Sequence, residues 1–324
     1  NELVINHPEV EPWQRGNALG FLGELQTQIG RLSEALYTYQ RSYLTYKNLS
    51  RKDPGSNFFR GNLAVSYSKL GSTHTALGNL DTALLYYELD LEISKELYAS
   101  NPNNVNFKNG LAISYVKLGE TYLKLHQIDQ TNYYYKKARA IWLELTQEAP
   151  RVVQFHRFLK IIEQRIVNLA DVEKQIFLQT LSATQDTLAT YQLYQTYTTT
   201  LMKRYGAGDT SVVTDLSQYL NSQAWYALLL GKFQAAEDAL QQALQLPVDN
   251  KYLATNLAPA LLLQGKQKAA LAEFNKWRDR PFNETNFPTY REVFLDDLTT
   301  FKSLGIIPPE RQKEVAEVIK LLRE

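Results

Sequence analysis

Cysteine is absent from the 324 residues, which excludes disulfide scaffolds, thiol nucleophiles and cysteine-ligated metals. Glycine and proline are sparse, at 15 and 11, so loops must be short. Neither sign of charge dominates. The 35 Lys and Arg face 34 Asp and Glu, a balance of +1 that argues against a nucleic-acid surface spread over the whole chain and leaves only local patches. No apolar run approaches the ~20 residues needed to cross a bilayer. The patterns that carry chemistry are missing as well. Gly231-Lys232-Phe233 and Gly265-Lys266-Gln267 lack the upstream glycine and the hydroxyl of a phosphate loop, and no His-Glu-x-x-His or Gly-x-Ser-x-Gly occurs. The four histidines, His7, His74, His126 and His156, are scattered, and Asp296-Asp297 beside Arg291 and Lys302 reads as a solvated helix face. The expectation is a cytoplasmic chain without catalytic residues, metal or cofactor, and without nucleic acid or membrane as a partner.

What the chain does have is periodicity. Pro54, Pro102 and Pro150 stand 48 residues apart, as do Leu22-Gly23, Leu70-Gly71 and Leu118-Gly119, and Tyr39, Tyr87 and Tyr135. Beyond residue 206 the interval becomes 34: Gly231 to Gly265, Ala236 to Ala270, Leu240 to Phe274, Pro247 to Pro281. A fixed period of this size means stacked supersecondary units, none of which buries its apolar face alone. In the second unit the spacing predicts one helix from Asn57 to about Ala76 and another from Asp81 to about Ser100, with Ser or Asn as N-cap and Asn101-Pro102 as stop. The stripe Phe58, Leu63, Ala64, Tyr67, Leu70 and Gly71 supplies the buried face of the first.

Glycine at the inter-helix turn, a small alanine five residues on, a bulky apolar residue four after that and a closing proline resemble the tetratricopeptide repeat. The 48-residue units carry the same pattern in longer helices, with Gly30 and Gly78 at the turn and Ala35 and Ala83 at the small position. Their additional residues lengthen each helix by about two turns, roughly 10 Å. The third unit departs at His126 and Thr131, so its helix pair is expected to pack less closely. The resemblance implies an all-α, right-handed α-solenoid with no sheet: three long repeats over 1–150, a helical connector over 151–208, two standard repeats over 209–282 and a helical cap over 283–324. Gly206-Ala-Gly208-Asp209 is the expected interior boundary.

Three segments lie outside the repeats proper. Residues 151–172 keep the register at Phe155 and Leu159 without a Leu-Gly pair and read as an orphan first helix, while Ala183 to Tyr205 places Leu188, Tyr191, Tyr194, Leu201 and Tyr205 on one broad face. The last helix is amphipathic, with Val315, Val318, Ile319 and Leu322 on one side; capping is its expected role, dimerisation the sharper alternative. Glu2-Leu3 through Pro8 resembles the end of a repeat, so the sequence is expected to be cut from a longer protein with repeats upstream.

The resemblance also implies a function. Stacked helix pairs line a concave groove with their first helices, and the groove-facing candidates are Asn17, Glu24, Ser68, Ser72 and Glu120, flanked by Lys69, Lys117 and Lys124, with Asn221, Trp225, Tyr252 and Asn256 from the shorter units. Such a surface suits an extended peptide or a helix of another protein, or a segment of the parent chain. The readings are a non-enzymatic interaction scaffold, the sensor or docking arm of a larger enzyme or switch, or a structural homo-oligomer. The family's clamp for a chaperone's C-terminal carboxylate does not match, because Gly20 and Glu24 stand where a lysine and asparagines are needed. The 21 tyrosines read as packing between long helices with the hydroxyl kept wet.

Overall fold

A computed structural model describes residues 10–249, 251–284 and 287–324; the repeat-like segment at Glu2 to Pro8 lies outside them. The chain divides into two compact units, the first ending at Ile176 and the second beginning at Phe177. In the first, helices come in pairs: α1 (Pro12–Gln28) with α2 (Leu32–Lys52), α3 (Asn57–Ala76) with α4 (Leu80–Ser100), and α5 (Val105–Lys124) with α6 (Ile128–Glu148). Helix α7 (Val153–Ala183) follows. Each boundary has a local cause. Ser56 accepts a hydrogen bond from the Phe59 N–H and Asn104 from those of Asn106 and Phe107, so both cap their helices. Proline ends each pair, since it offers no donor and bars the preceding residue from the helical region.

The close contact inside every pair is a glycine under a tyrosine ring. A Cβ added to Gly23 would lie 2.7 Å from the Tyr39 ring, one on Gly71 2.7 Å from Tyr87, and one on Gly119 2.6 Å from Tyr135. The third pair is therefore as tight as the others, against the expectation drawn from His126 and Thr131. Thr131 is fully buried and its hydroxyl donates to the Gln127 carbonyl at 2.9 Å, so it takes the alanine position without an orphaned group. His126 adopts φ 59°, in the left-handed region used by Gly30 and Gly78. An L-residue is strained there, so His126→Gly should stabilise the chain by about 1 kcal/mol, measured by chemical denaturation. A more stable histidine form would contradict it.

Each pair shares its core with the next first helix. Leu70 packs with Ala35 and Tyr39, and Leu111 and Leu118 with Ala83, Tyr87 and Leu91. Phe155, Ile162 and Leu169 of α7 close the stack over Tyr135, Trp142 and Leu145. The division into units falls inside α7 and not at the glycine segment 206–209, because the Phe177 ring belongs to the second core, stacked 4.1 Å from Tyr197 and edge-on to Tyr194 and Tyr219. Phe58 also departs from expectation: it is 52% exposed and meets the Trp13 ring edge-on.

The second unit contains α8 (Thr187–Gly206), α9 (Val213–Leu229), α10 (Phe233–Leu244), α11 (Ala254–Leu263), α12 (Gln267–Trp277), α13 (Tyr290–Ser303) and α14 (Gln312–Arg323). Helices α9 and α10, and α11 and α12, form pairs turned at Gly231 (φ 70°) and Gly265 (φ 81°), with Ala236, Leu240, Ala270 and Phe274 fully buried. In α8 Tyr191, Tyr194 and Leu201 are buried, but Leu188 is 42% exposed. The expectation of no sheet fails after Pro281, where β1 (Pro281–Glu284) and β2 (Phe287–Thr289) pair antiparallel. The hairpin puts Phe282 edge-on against Tyr252 and Tyr290, which gives the short strands an apolar anchor. Val315, Val318 and Leu322 of α14 are buried within their own unit, with Ile319 packed against the same core.

Candidate protein-interaction site

The register that aligns the helices also aligns charges across them. Lys69 on α3 reaches back to Glu24 on α1 at 3.2 Å, and Arg165 on α7 reaches back to Glu120 on α5 at 2.6 Å. Both contacts span 45 residues. The corresponding cation on α5 is Lys117, and the position it faces on α3 is Ser72, so this rung has no acid. Its ammonium lies 3.7 Å from Glu120 on its own helix, a carboxylate already engaged by Arg165. Around the broken rung a cleft of about 520 Å³ is lined by Ser72, Thr75, Tyr87, Lys117, Glu120 and Lys124, with Tyr135, Arg165 and Asn168 closing it. Lys124 is exposed and has no acidic partner among the described residues. The cleft thus gathers three cations and one carboxylate. The Tyr87 hydroxyl donates to Ser72 at 3.0 Å, tying the cleft wall to the glycine contact beneath it.

A second cleft of about 470 Å³ opens towards the N-terminal ends of α3 and α5. It contains Ser68 and Lys69 and, at its floor, Asp90, Ser94 and Ser114, which are 4%, 7% and 2% exposed. In the second unit a cleft of about 780 Å³ gathers Gln218, Asn221, Tyr252, Thr255 and Phe282. Other expected groove residues are occupied elsewhere. Asn17 accepts the Tyr46 hydroxyl at 2.5 Å, and Glu24 is held by Lys69. Asn256 is buried and donates to Asn221 Oδ1 at 2.9 Å, so it bridges α9 and α11 instead of offering a free amide. Trp225 packs on Phe301 with ring centroids 5.4 Å apart, a cap contact and not a groove surface. Asp297 is half-buried, not a solvated partner of Asp296; burial, and then the charge of Asp296, push its carboxyl up to about 7. Neither aspartate lines any of these three clefts.

Residues 66–97, from the middle of α3 through most of α4, match the family model of the tetratricopeptide repeat. Over this stretch the chain carries a tetratricopeptide repeat. No curated protein matches the sequence. Among solved structures, the repeats are similar to BtubC from P. vanneervenii (18% identity, 88% of this chain and 90% of that one, TM-score 0.35). They are also similar to a thermophilic TPR protein of Thermus thermophilus (17% identity, 88% and 99%, TM-score 0.26) and to the TPR2AB domain of yeast Sti1 in a complex with HSP90 (12% identity, 94% and 100%, TM-score 0.27). These likenesses carry no argument about a partner of this chain.

Ser72, Lys117, Glu120 and Lys124, grouped by their spacing on first helices, line one cleft of the first unit. Arg165 and Asn168 were missed, although they continue the register of Lys117 and Glu120 by 48 residues. Their helix lacks the Leu-Gly pair. Asp90 was missed because Glu88-Leu89-Asp90 on a second helix looks like an outer, solvated turn. A signal was present: the same position holds Ser42 and Ala138 in the flanking units, both small. Among the described residues no group of three or more His, Asp or Glu side chains is placed to hold a metal ion, and no helix is long and apolar enough to cross a membrane.

Proposed function

We propose that the tetratricopeptide repeats form a protein-interaction scaffold, and that the cleft around Lys117 and Lys124 holds an acidic stretch of a partner polypeptide. The reading is carried by the broken rung. Where neighbouring repeats satisfy the groove cation with Glu24 or Glu120, Lys117 has Ser72 at the equivalent position and shares a carboxylate that Arg165 already uses. A partner carboxylate would complete the rung, and the Ser72 hydroxyl lines the same cleft as a hydrogen-bonding group for its backbone.

Lys69 is not a clean probe of this contact, since reversing it also breaks its bond to Glu24. Lys117→Glu with Lys124→Glu is the informative pair. Exposed charges are worth ~1 kcal/mol or less each, about fivefold in affinity, and the double reversal replaces attraction by repulsion. It should weaken binding of the captured partner by well over tenfold, with the melting midpoint lowered by no more than the loss of the exposed Lys117–Glu120 contact accounts for. Wild-type affinity should also fall steeply with salt. Titration of the partner, first recovered on the immobilised chain, measures both; undiminished affinity of the double variant would move the site elsewhere.

A further inference from the structure

Asp90 has no structural reason to be an acid. At the same position of the flanking units Ser42 donates its hydroxyl to the Gly16 carbonyl at 2.9 Å, and Ala138 is fully buried. A small neutral side chain therefore suffices at this position of a second helix. Asp90 accepts the Ser114 hydroxyl at 2.9 Å and that of Ser94 at 3.3 Å, but no cation reaches it among the described residues. A desolvated carboxylate bonded only to two hydroxyls is costly to keep.

The carboxylate does not sit in a sealed core. It lies at the floor of the second cleft, whose walls carry Phe58, Val65 and Ile113, exposed at 52%, 54% and 36%. A narrow slot with apolar walls and one acid at its base fits a long aliphatic stem that ends in a positive charge. Lysine and arginine have that shape, and an arginine plane also stacks on Phe58. The other charged side chain lining the cleft is Lys69, and Glu24 offsets it. From α5 the charged neighbour Lys108 is turned away onto Glu148 and Glu144, and Arg60 of α3 is bonded to Glu96.

We propose that the cleft over Asp90 receives a lysine or arginine side chain of the partner polypeptide, with the Asp90 carboxylate as counter-ion. The proposal rests on the groove being the binding face. It adds a polarity: a basic residue at the Asp90 cleft, towards the N-terminal ends of α3 and α5, and an acidic one farther along α5 at Lys117 and Lys124. In the empty cleft burial pushes the Asp90 carboxyl up to about 7, with the Ser114 and Ser94 hydroxyls pulling the other way. A bound cation needs the ionised form, so binding should weaken about tenfold between pH 8 and pH 6.

The test is selection of random displayed heptapeptides on the full chain at pH 8, using wild type, Asp90→Asn and the Lys117→Glu, Lys124→Glu pair. Wild type should enrich Lys or Arg at one fixed position. Asp90→Asn should lose that enrichment while keeping an acidic position, and the lysine pair should do the reverse. A peptide recovered on wild type should lose about tenfold affinity from pH 8 to pH 6, and its norleucine substitute should not change with pH. The same basic position on Asp90→Asn, or a wild-type pool with a fixed acid and no fixed base, overturns the Asp90 site and leaves the groove reading standing. A pool with neither overturns both. Asp90→Ser, which copies Ser42, repeats the comparison if the asparagine variant misfolds.

Discussion

Replacing Gly71 by leucine should lower the melting midpoint of the first unit by roughly 6 to 12 °C, equivalent to about 3 kcal/mol. The first added carbon alone would stand 2.7, 2.9 and 3.0 Å from three carbons of the Tyr87 ring. That ring cannot yield. It is 2% exposed, packed with Ala83, Leu91 and Leu118, and its hydroxyl donates to Ser72 on the helix that bears the glycine. Either α3 and α4 separate or the tyrosine leaves its core, and both expose apolar surface shared with α5. The opposite case is available in the same stack. Gly110 lies inside α5 with no atom within 4 Å of an added Cβ, so Gly110→Ala should stabilise by about 0.5 to 1 kcal/mol through helix propensity. Calorimetry of the three proteins decides the matter; a Gly71→Leu transition at the wild-type temperature would refute the contact.

Asp90→Asn should make the chain more stable at pH 8 and remove part of its pH dependence. Asp90 titrates near 4 when unfolded and at about 7 when folded, chiefly because burial disfavours its charge. Between those values the folded state keeps a proton that the unfolded state has released. Stability from this group is therefore fully present below pH 4, falls as pH rises towards 7, and stays low above it. Three pH units at about 1.4 kcal/mol each amount to on the order of 4 kcal/mol. The amide retains an acceptor for one serine and carries no charge, so the difference between the variant and wild-type stability curves should rise over that window and then level off. Urea denaturation at pH 5, 6, 7 and 8 gives this difference directly, with other titrating groups common to both proteins. A flat difference would mean that the carboxylate is solvated or ion-paired. The same carboxyl is the proposed counter-ion for a partner's basic side chain, so its instability in the empty cleft and its use in the filled one have a single origin.

The helix pairs were legible because a repeat puts the same residue at the same turn of every unit. Gly71 under Tyr87 is written twice more, as Gly23 under Tyr39 and Gly119 under Tyr135, and Pro54, Pro102 and Pro150 mark where each pair ends. Periodicity of 3.6 residues assigns a face to each helix, so Ser72, Lys117, Glu120 and Lys124 could be placed together without coordinates. Contacts between non-equivalent positions were not legible, since no period announces them. Trp225 on Phe301 joins a repeat to the cap, and the Phe177 ring gives the end of one helix to a different core from its beginning. The β1–β2 hairpin depends on Phe282 finding Tyr252 and Tyr290, which are 30 residues before it and 8 after. The charge state of the groove was also a tertiary matter. Sequence spacing alone put Lys69 and Lys117 on one face, but only packing added Arg165 and decided which carboxylate each cation reaches, because the distance between neighbouring first helices is what brings Lys69 to Glu24 and Arg165 to Glu120.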